Sequence, residues 1–306
     1  MSGAAFVPES RELTGDDAVA TLRRIGTYHL LKDALARLRV ADGFSHVRSL
    51  AYLIALVAIQ SLIAIVGLES VVGAGSLSRA VDGAIVHAVP GPAGRVLTTA
   101  VSQAHLNGAH HHYLALVAGV IGSMVTATMA MGQLERGLNR IYGVEKDRPV
   151  FQKYAVAFFS ALSAGTLTAV AFICLALGDQ LFRSKTSNVL SATWTIVRWP
   201  IGIVLIAIAV TVLFKRSPLR TQPHLSWLAV GSIVSVIIWV ASILGLSFFF
   251  RSSSSFGSTY GPIAGVVALL LWSLLASLSL YYGGAVAAQL ESVRVGASTP
   301  ARKMAT

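Results

Sequence analysis

The stretch Gly132-Gln133-Leu134-Glu135-Arg136-Gly137-Leu138-Asn139-Arg140-Ile141-Tyr142-Gly143 gathers a carboxylate, two amides and two guanidinium groups within a few helical turns. At helical spacing Glu135 and Asn139 share one face, and Arg136 and Arg140 share another. Two guanidinium forks one turn apart suit the oxygens of a phosphate or a lipid headgroup. The same spacing suits, and better, charge anchoring at a membrane surface together with an internal ion pair. Arg148 follows shortly after, and Arg198 lies near the opposite end of a later apolar run, where it would meet a headgroup or snorkel toward one. Glu135, Arg136, Asn139, Arg140, Arg148 and Arg198 are therefore the candidate ligand-binding residues, and the ligand they suit is an amphipathic anion such as a membrane lipid.

Other chemistry finds little support. His110, His111 and His112 form the one histidine cluster, but three adjacent side chains cannot all face one ion and no acid stands at ligand spacing, so a solvated loop explains them better. Motifs of the G-x-x-x-x-G-K-[ST], H-E-x-x-H and G-x-S-x-G types are absent,. The single cysteine, Cys174, excludes an intrachain disulfide and a thiolate metal site,. Glu69 and Asp179 fall at the outer ends of apolar runs, and Glu135 and Glu291 at inner ends, so a proton relay at mid-membrane lacks its usual acids. No catalytic residue, metal site or cofactor is expected.

The elements that must position these residues are membrane helices. The chain is 55% hydrophobic and 12% charged, against about 25% charged in an ordinary soluble domain. Six runs, near 50–68, 113–131, 154–177, 195–214, 227–250 and 262–288, are long enough to cross a bilayer,. Of the 24 basic residues, seven precede the first run, five lie between the second and third, three between the fourth and fifth, and three after the sixth. Positive residues are retained in the cytoplasm, which puts both termini inside and largely explains the net charge of +11,. A nucleic-acid partner thereby loses its support. The first strongly apolar run starts only near Leu50, so a cleavable signal peptide is not expected,.

The expected organisation is a cytoplasmic segment over 1–47, a six-helix transmembrane domain over 48–292 and a cytoplasmic tail over 293–306. Residues 17–40 read as one amphipathic helix with Tyr28, Leu31, Leu35 and Leu38 on its apolar stripe and Asp33 and Arg37 roughly opposite. Such a helix suits the anionic inner leaflet, or equally a seat on the protein's own loops. Between the first two runs, 77–89 and 93–106 read as two short outer helices around Pro90-Gly91-Pro92. Small residues at spacing four (Ser160/Ala164, Ala161/Gly165 and Gly231/Ser235) point to close helix packing. Trp194 and Trp199 at the outer side, with Tyr281 and Tyr282 at the inner side, read as interfacial anchors.

Leu134-Glu135-Arg136-Gly137-Leu138-Asn139-Arg140-Ile141-Tyr142 with Arg148-Pro149, then Tyr260-Gly261-Pro262-Ile263-Ala264-Gly265-Val266 leading to Leu271-Trp272, and Leu50-Ala51-Tyr52 ahead of both, resemble the YihY/BrkB family of bacterial inner-membrane proteins over residues 30–292. Val57 and Gln60 stand where that family has Ser and Pro, and Ala285 and Ala287 where it has an acid and Asn. The resemblance implies a six-span protein of the bacterial cell membrane tied to envelope integrity and, in some members, to lipid or lipopolysaccharide export. A ribonuclease label used for some members carries no weight here, since the H-x-H-x-D-H motif of that enzyme class is missing. The function expected is a non-enzymatic protein that binds or translocates a lipid or other amphipathic anion; a scaffold for envelope machinery is the alternative.

Overall fold

The computed structural model describes residues 3–72, 91–92, 94–95, 97–99, 112–183, 188–252, 263–297 and 299–301. The fold is carried by α1 (Gly15–Ile25), α2 (Thr27–Val40), α3 (Gly43–Val72), α4 (His112–Ile141), α5 (Val150–Arg183), α6 (Asn188–Arg216), α7 (Leu225–Ser252) and α8 (Ile263–Arg294). The last six contain apolar segments long enough to span a bilayer: Gly43–Leu68, Tyr113–Ile141, Val150–Ala171, Ile196–Arg216, Leu225–Ser252 and Ile263–Arg294. Hydrocarbon leaves no other partner for backbone groups, so these runs must close their hydrogen bonds within each helix. The protein is a multi-pass, all-helical membrane protein.

Each span packs against its neighbour in sequence, and α8 closes the ring by returning to α3. With an even number of spans both termini emerge at one end, called here the terminal face, where Ala4 and Ala301 form an antiparallel bridge. The densest core lies at this end. Leu30, Leu38, Leu134, Leu138, Ile141, Tyr142, Phe214, Trp227, Leu228 and Tyr281 are all fully buried there. Farther along the helices, Ile121, Val125, Ile237 and Phe248 are exposed. Lipid tails are as apolar as these side chains, so the outer surface of the ring has no need to turn them inward.

Small residues set the α7–α8 crossing. A Cβ at Gly231 would stand 2.6 Å from the carbonyl oxygen of Gly283, and one at Gly283 would stand 2.5 Å from that of Gly231. Ser160 and Ala164 on α5 are buried as well. Gly165 is the exception among the expected packing residues, with nothing within 4 Å of the place its Cβ would take. Gly283→Val should therefore lower stability by about 1–3 kcal/mol through overpacking, whereas Gly165→Ala should be close to neutral. Thermal unfolding of the two variants in detergent checks the contrast.

The extramembrane N-terminal region departs from the single helix expected over 17–40. Gly26, at φ +84°, breaks it into α1 and α2. Left-handed backbone of this kind strongly favours glycine. Thr14 starts α1 by donating its backbone N–H to Asp17 Oδ2 at 3.1 Å, a capping arrangement that satisfies an otherwise unpaired group. Both helices lie on the protein, α1 against α7 and α2 against α8. The buried face of α2 is Leu30, Ala34, Arg37 and Leu38, rotated from the expected stripe, and Tyr28 is 73% exposed. Arg37, read as part of the polar face, is completely buried. The expected outer helices at 77–89 and 93–106 lie outside, or almost wholly outside, the described residues, as do His110 and His111; His112 opens α4.

Candidate functional site

The inner-face motif on α4 splits into an inward and an outward half. Glu135 and Asn139 point into the protein and are buried, whereas the Arg136 side chain is half exposed. Glu135 Oε1 forms an ion pair with Arg148 Nη1 at 2.8 Å. The same guanidinium donates to the carbonyl oxygens of Ser217 at 2.9 Å and Pro218 at 3.2 Å. Arg148 thus caps the C-terminal end of α6, where unpaired carbonyls and the helix dipole favour a cation. Asn139 Oδ1 accepts the Leu219 backbone N–H at 2.7 Å. Together, Glu135, Arg148 and Asn139 hold the 217–224 loop against the bundle.

Arg140 turns back on its own chain, with Nη1 donating to the Glu145 carbonyl at 2.9 Å and to that of Val144 at 3.3 Å. Arg136 reaches Asp147 at 3.7 Å, which Lys153 also approaches at 3.7 Å. Arg198 is buried on α6 and stands apart from all of these. Its 18 residues of helix from Arg216 correspond to roughly 27 Å. The structure therefore brings together five of the six candidates in one region and leaves Arg198 at the other end of the bundle. The two arginines expected to act as a pair are engaged with different partners.

A second buried cluster completes the terminal face. Arg220, from the 217–224 loop, makes a bidentate pair with Glu291 of α8, with Nη2–Oε1 at 2.7 Å and Nη1–Oε2 at 3.2 Å. Both side chains are almost fully excluded from solvent. The guanidinium also lies 4.5 Å from the centre of the Tyr142 ring and donates to the Pro8 carbonyl at 3.1 Å. Beside it, Arg37 Nε donates to Gln289 Oε1 at 2.7 Å and Nη2 to Ser292 Oγ at 3.0 Å. Arg37 Nη1 reaches the carbonyls of Ala5 at 2.9 Å and Ile141 at 3.2 Å. Burial lowers the Arg37 guanidinium to about 10, with Arg220 pulling the same way and Glu291 opposing, so it remains charged at neutral pH,. Burial likewise pushes the Tyr142 phenol up, keeping it neutral.

The reading of Tyr281 as an interfacial anchor is corrected by its burial, whereas Tyr282 is only part-buried. Tyr281 is fully buried and donates its hydroxyl to the Gln133 carbonyl at 2.9 Å. Tyr282 donates to the Leu31 carbonyl at 2.9 Å, tying α8 to α2. A buried tyrosine needs a partner for its hydroxyl, and backbone carbonyls supply both. Residues 3–13 then run across this end as a strap. Gly3 N–H bonds the Val40 carbonyl at 3.0 Å, Ala5 N–H the Pro300 carbonyl at 2.9 Å, and Val7 N–H the Tyr142 carbonyl at 3.1 Å.

The pattern missed from sequence is this second cluster of Arg37, Tyr142, Arg220, Gln289, Glu291 and Ser292. One signal for it was visible: Gln289 and Glu291 end an otherwise apolar helix, and a carboxylate there requires a cation or several donors. Among the described residues no group of three or more His, Cys, Asp or Glu side chains comes together as metal ligands would.

Comparison with known proteins gives relatives of low identity. The ribonuclease-like protein YfkH of Bacillus subtilis is 23% identical over 177 residues, covering 56% of this chain and 64% of that protein. UPF0761 membrane protein Bxeno_A3061 of Paraburkholderia xenovorans is 26% identical over 58% of this chain and 41% of its own length. A UPF0761 membrane protein of Chromobacterium violaceum is 28% identical over 60% of this chain and 42% of its own. The aligned region thus covers less than two thirds of each of these relatives. The word ribonuclease belongs to the name of the first relative and has no counterpart in the chemistry of the terminal face. No solved structure matches the chain. Because the model of the virulence factor BrkB family matches residues 34–306, the great part of the chain, this six-span membrane protein belongs to that family.

Proposed function

We propose that the protein binds a lipid or other amphipathic anion from within the bilayer and passes it between leaflets, without covalent chemistry. The observation that carries this reading is how the terminal face uses its charges. Arg37, Arg148, Arg220, Glu135 and Glu291 serve internal contacts that pin the strap and the 217–224 loop over the bundle, and Arg140 holds the turn after α4. A solute in water meets a packed surface at that end, so the ligand class favoured is one that arrives through the membrane. Arg136, half exposed at the end of α4, is the cation of the family motif left facing outward. With the basic residues gathered at this end, the terminal face is read as cytosolic and the membrane as the bacterial inner membrane.

Reconstitution tests the reading directly. Vesicles of phosphatidylethanolamine and phosphatidylglycerol with a fluorescent lipid in both leaflets should lose more signal to an impermeant quencher when the protein is present. Equal loss with and without protein would sink the transport reading. Arg136→Ala should slow anionic lipid about fivefold, the equivalent of about 1 kcal/mol per basic residue near an anionic surface, and leave a zwitterionic lipid nearly unchanged. A second reading, as a docking scaffold, is favoured by the folded layer of α1, α2 and the strap, which exposes Phe6 and Tyr28. Unaltered lipid movement together with a growth defect on deleting residues 3–40 would favour the scaffold.

A further inference from the structure

Between α5, α6, α7 and α8 lies a part-open cavity of about 170 Å³, walled by Val210, Val236, Trp239, Trp272, Ala276 and Leu280 among others. None of the candidate residues of the terminal face contributes to it. Its depth follows from the helix rise. Val210 is six residues from the end of α6 at Arg216, and Trp239 is 14 from the start of α7 at Leu225. At about 1.5 Å per residue these walls stand roughly 10–20 Å inside the terminal ends of their helices, within the hydrocarbon layer.

The chemistry of the walls decides what can occupy this space. Ser235, itself 1% exposed, lines the cavity, and its hydroxyl has no hydrogen-bond partner. Ser279, also in the wall, turns its hydroxyl to the Ala276 carbonyl at 2.7 Å. Thr168 adds a third hydroxyl-bearing residue to the walls, but the surface that faces the space is almost wholly apolar, so a water, which needs about two to four polar partners, is poorly held there,. Apolar cavities of about 150 Å³ take up molecules of the bulk of benzene. The medium at this depth that can reach an opening between spans is lipid chain, and Trp239 and Trp272 present flat apolar surface to it.

We propose that the cavity is a binding site for one acyl chain of a membrane phospholipid, held between α5, α6, α7 and α8 while the headgroup stays at the membrane surface. This rests on the lipid reading above and adds where the tail goes. The site takes hydrocarbon and no charge, so selection among headgroups belongs to the surface residues and not to the cavity.

Photolabelling of the full chain in phosphatidylglycerol vesicles tests it, using phosphatidylglycerol with a diazirine in mid-chain and mapping the adducts by mass spectrometry. Val236, Trp239, Trp272 and Ala276 should label as strongly as Ile233, Ile237 and Leu270, which are exposed on the same helices. Ala276→Phe should reduce the wall adducts several-fold and leave the outward ones unchanged, while Ile206→Ala, which widens the cavity, should keep or raise them. Wall adducts at less than a tenth of the outward ones in the natural protein and in Ile206→Ala would overturn the proposal. Preferential wall labelling by an isoprenoid diazirine would also overturn the assignment to an acyl chain. Wall labelling without lipid movement in the vesicle assay would leave the tail site standing and remove the transport reading.

Discussion

Glu291→Ala should destabilise the protein by about 3–5 kcal/mol, because removing one partner of a buried ion pair leaves the other charge uncompensated. The effect is larger here than at an ordinary pair, since Arg37 and Arg220 both lie in the same buried cluster and Glu291 is the carboxylate that faces them. Arg220→Ala should cost a similar amount by stranding Glu291 and by freeing the 217–224 loop from Tyr142 and Pro8. Replacing the pair together, Arg220→Met with Glu291→Leu, should recover a large part of either loss, because well-packed apolar side chains avoid the desolvation of two ions. Unfolding in detergent followed by tryptophan fluorescence reads all three variants. If Glu291→Ala unfolded with the natural protein, the pair would carry no net stability.

The second large effect is expected at Arg37. Arg37→Met removes the donor to Gln289 Oε1 and Ser292 Oγ and leaves the carbonyls of Ala5 and Ile141 without the side-chain donor that satisfies them. Each buried polar group left unpaired costs about 1–3 kcal/mol. Arg37→Lys should rescue little, because a single ammonium cannot reach acceptors arranged around a planar fork. Loss of the Ala5 contact should loosen the strap in particular. Trypsin should then cut after Arg11 at least tenfold faster, the change that a loss of about 1.4 kcal/mol in opening free energy produces. A cleavage rate unchanged in Arg37→Met would show that the strap is held by its backbone bonds alone.

The bilayer made the six spans easy to read, since it demands long apolar helices and the chain has six such segments,. The terminal face was harder because its contacts join residues far apart in sequence. Asn139 meets Leu219, Arg148 meets Ser217, and Arg37 meets Gln289. Periodicity marks Glu135 and Asn139 as sharing a face, yet it cannot say whether that face meets lipid, water or a loop. Arg37 failed for a related reason: an arginine on a helix ordinarily marks the solvated side, and only the full set of acceptors explains its burial. Tyr281 mimics an aromatic-belt residue in sequence, while its hydroxyl finds the Gln133 carbonyl inside the protein.

The departures from the family pattern also have local causes. Gln60, which departs from the residue that the family resemblance leads one to expect, accepts the Thr126 hydroxyl at 2.7 Å and so joins α3 to α4 in the apolar zone. Ala287 sits at the tight α7–α8 crossing, where a Cβ at Gly231 would lie 2.8 Å from its side chain. An asparagine there would need the two helices to move apart.

The bonds from Arg37 to Gln289 and Ser292 bridge 252 and 255 residues of chain. On a ribosome adding about 5–20 residues per second, that distance is roughly 10–50 s of synthesis. Throughout that interval Arg37 has emerged but the acceptors on α8 do not yet exist. The strap, α1 and α2 must wait beside the membrane while the later spans insert, and Arg37 finds these acceptors only when α8 arrives. A chain lacking α8 would leave Arg37 without Gln289 and Ser292, and the strap it helps to hold would be more open to proteases.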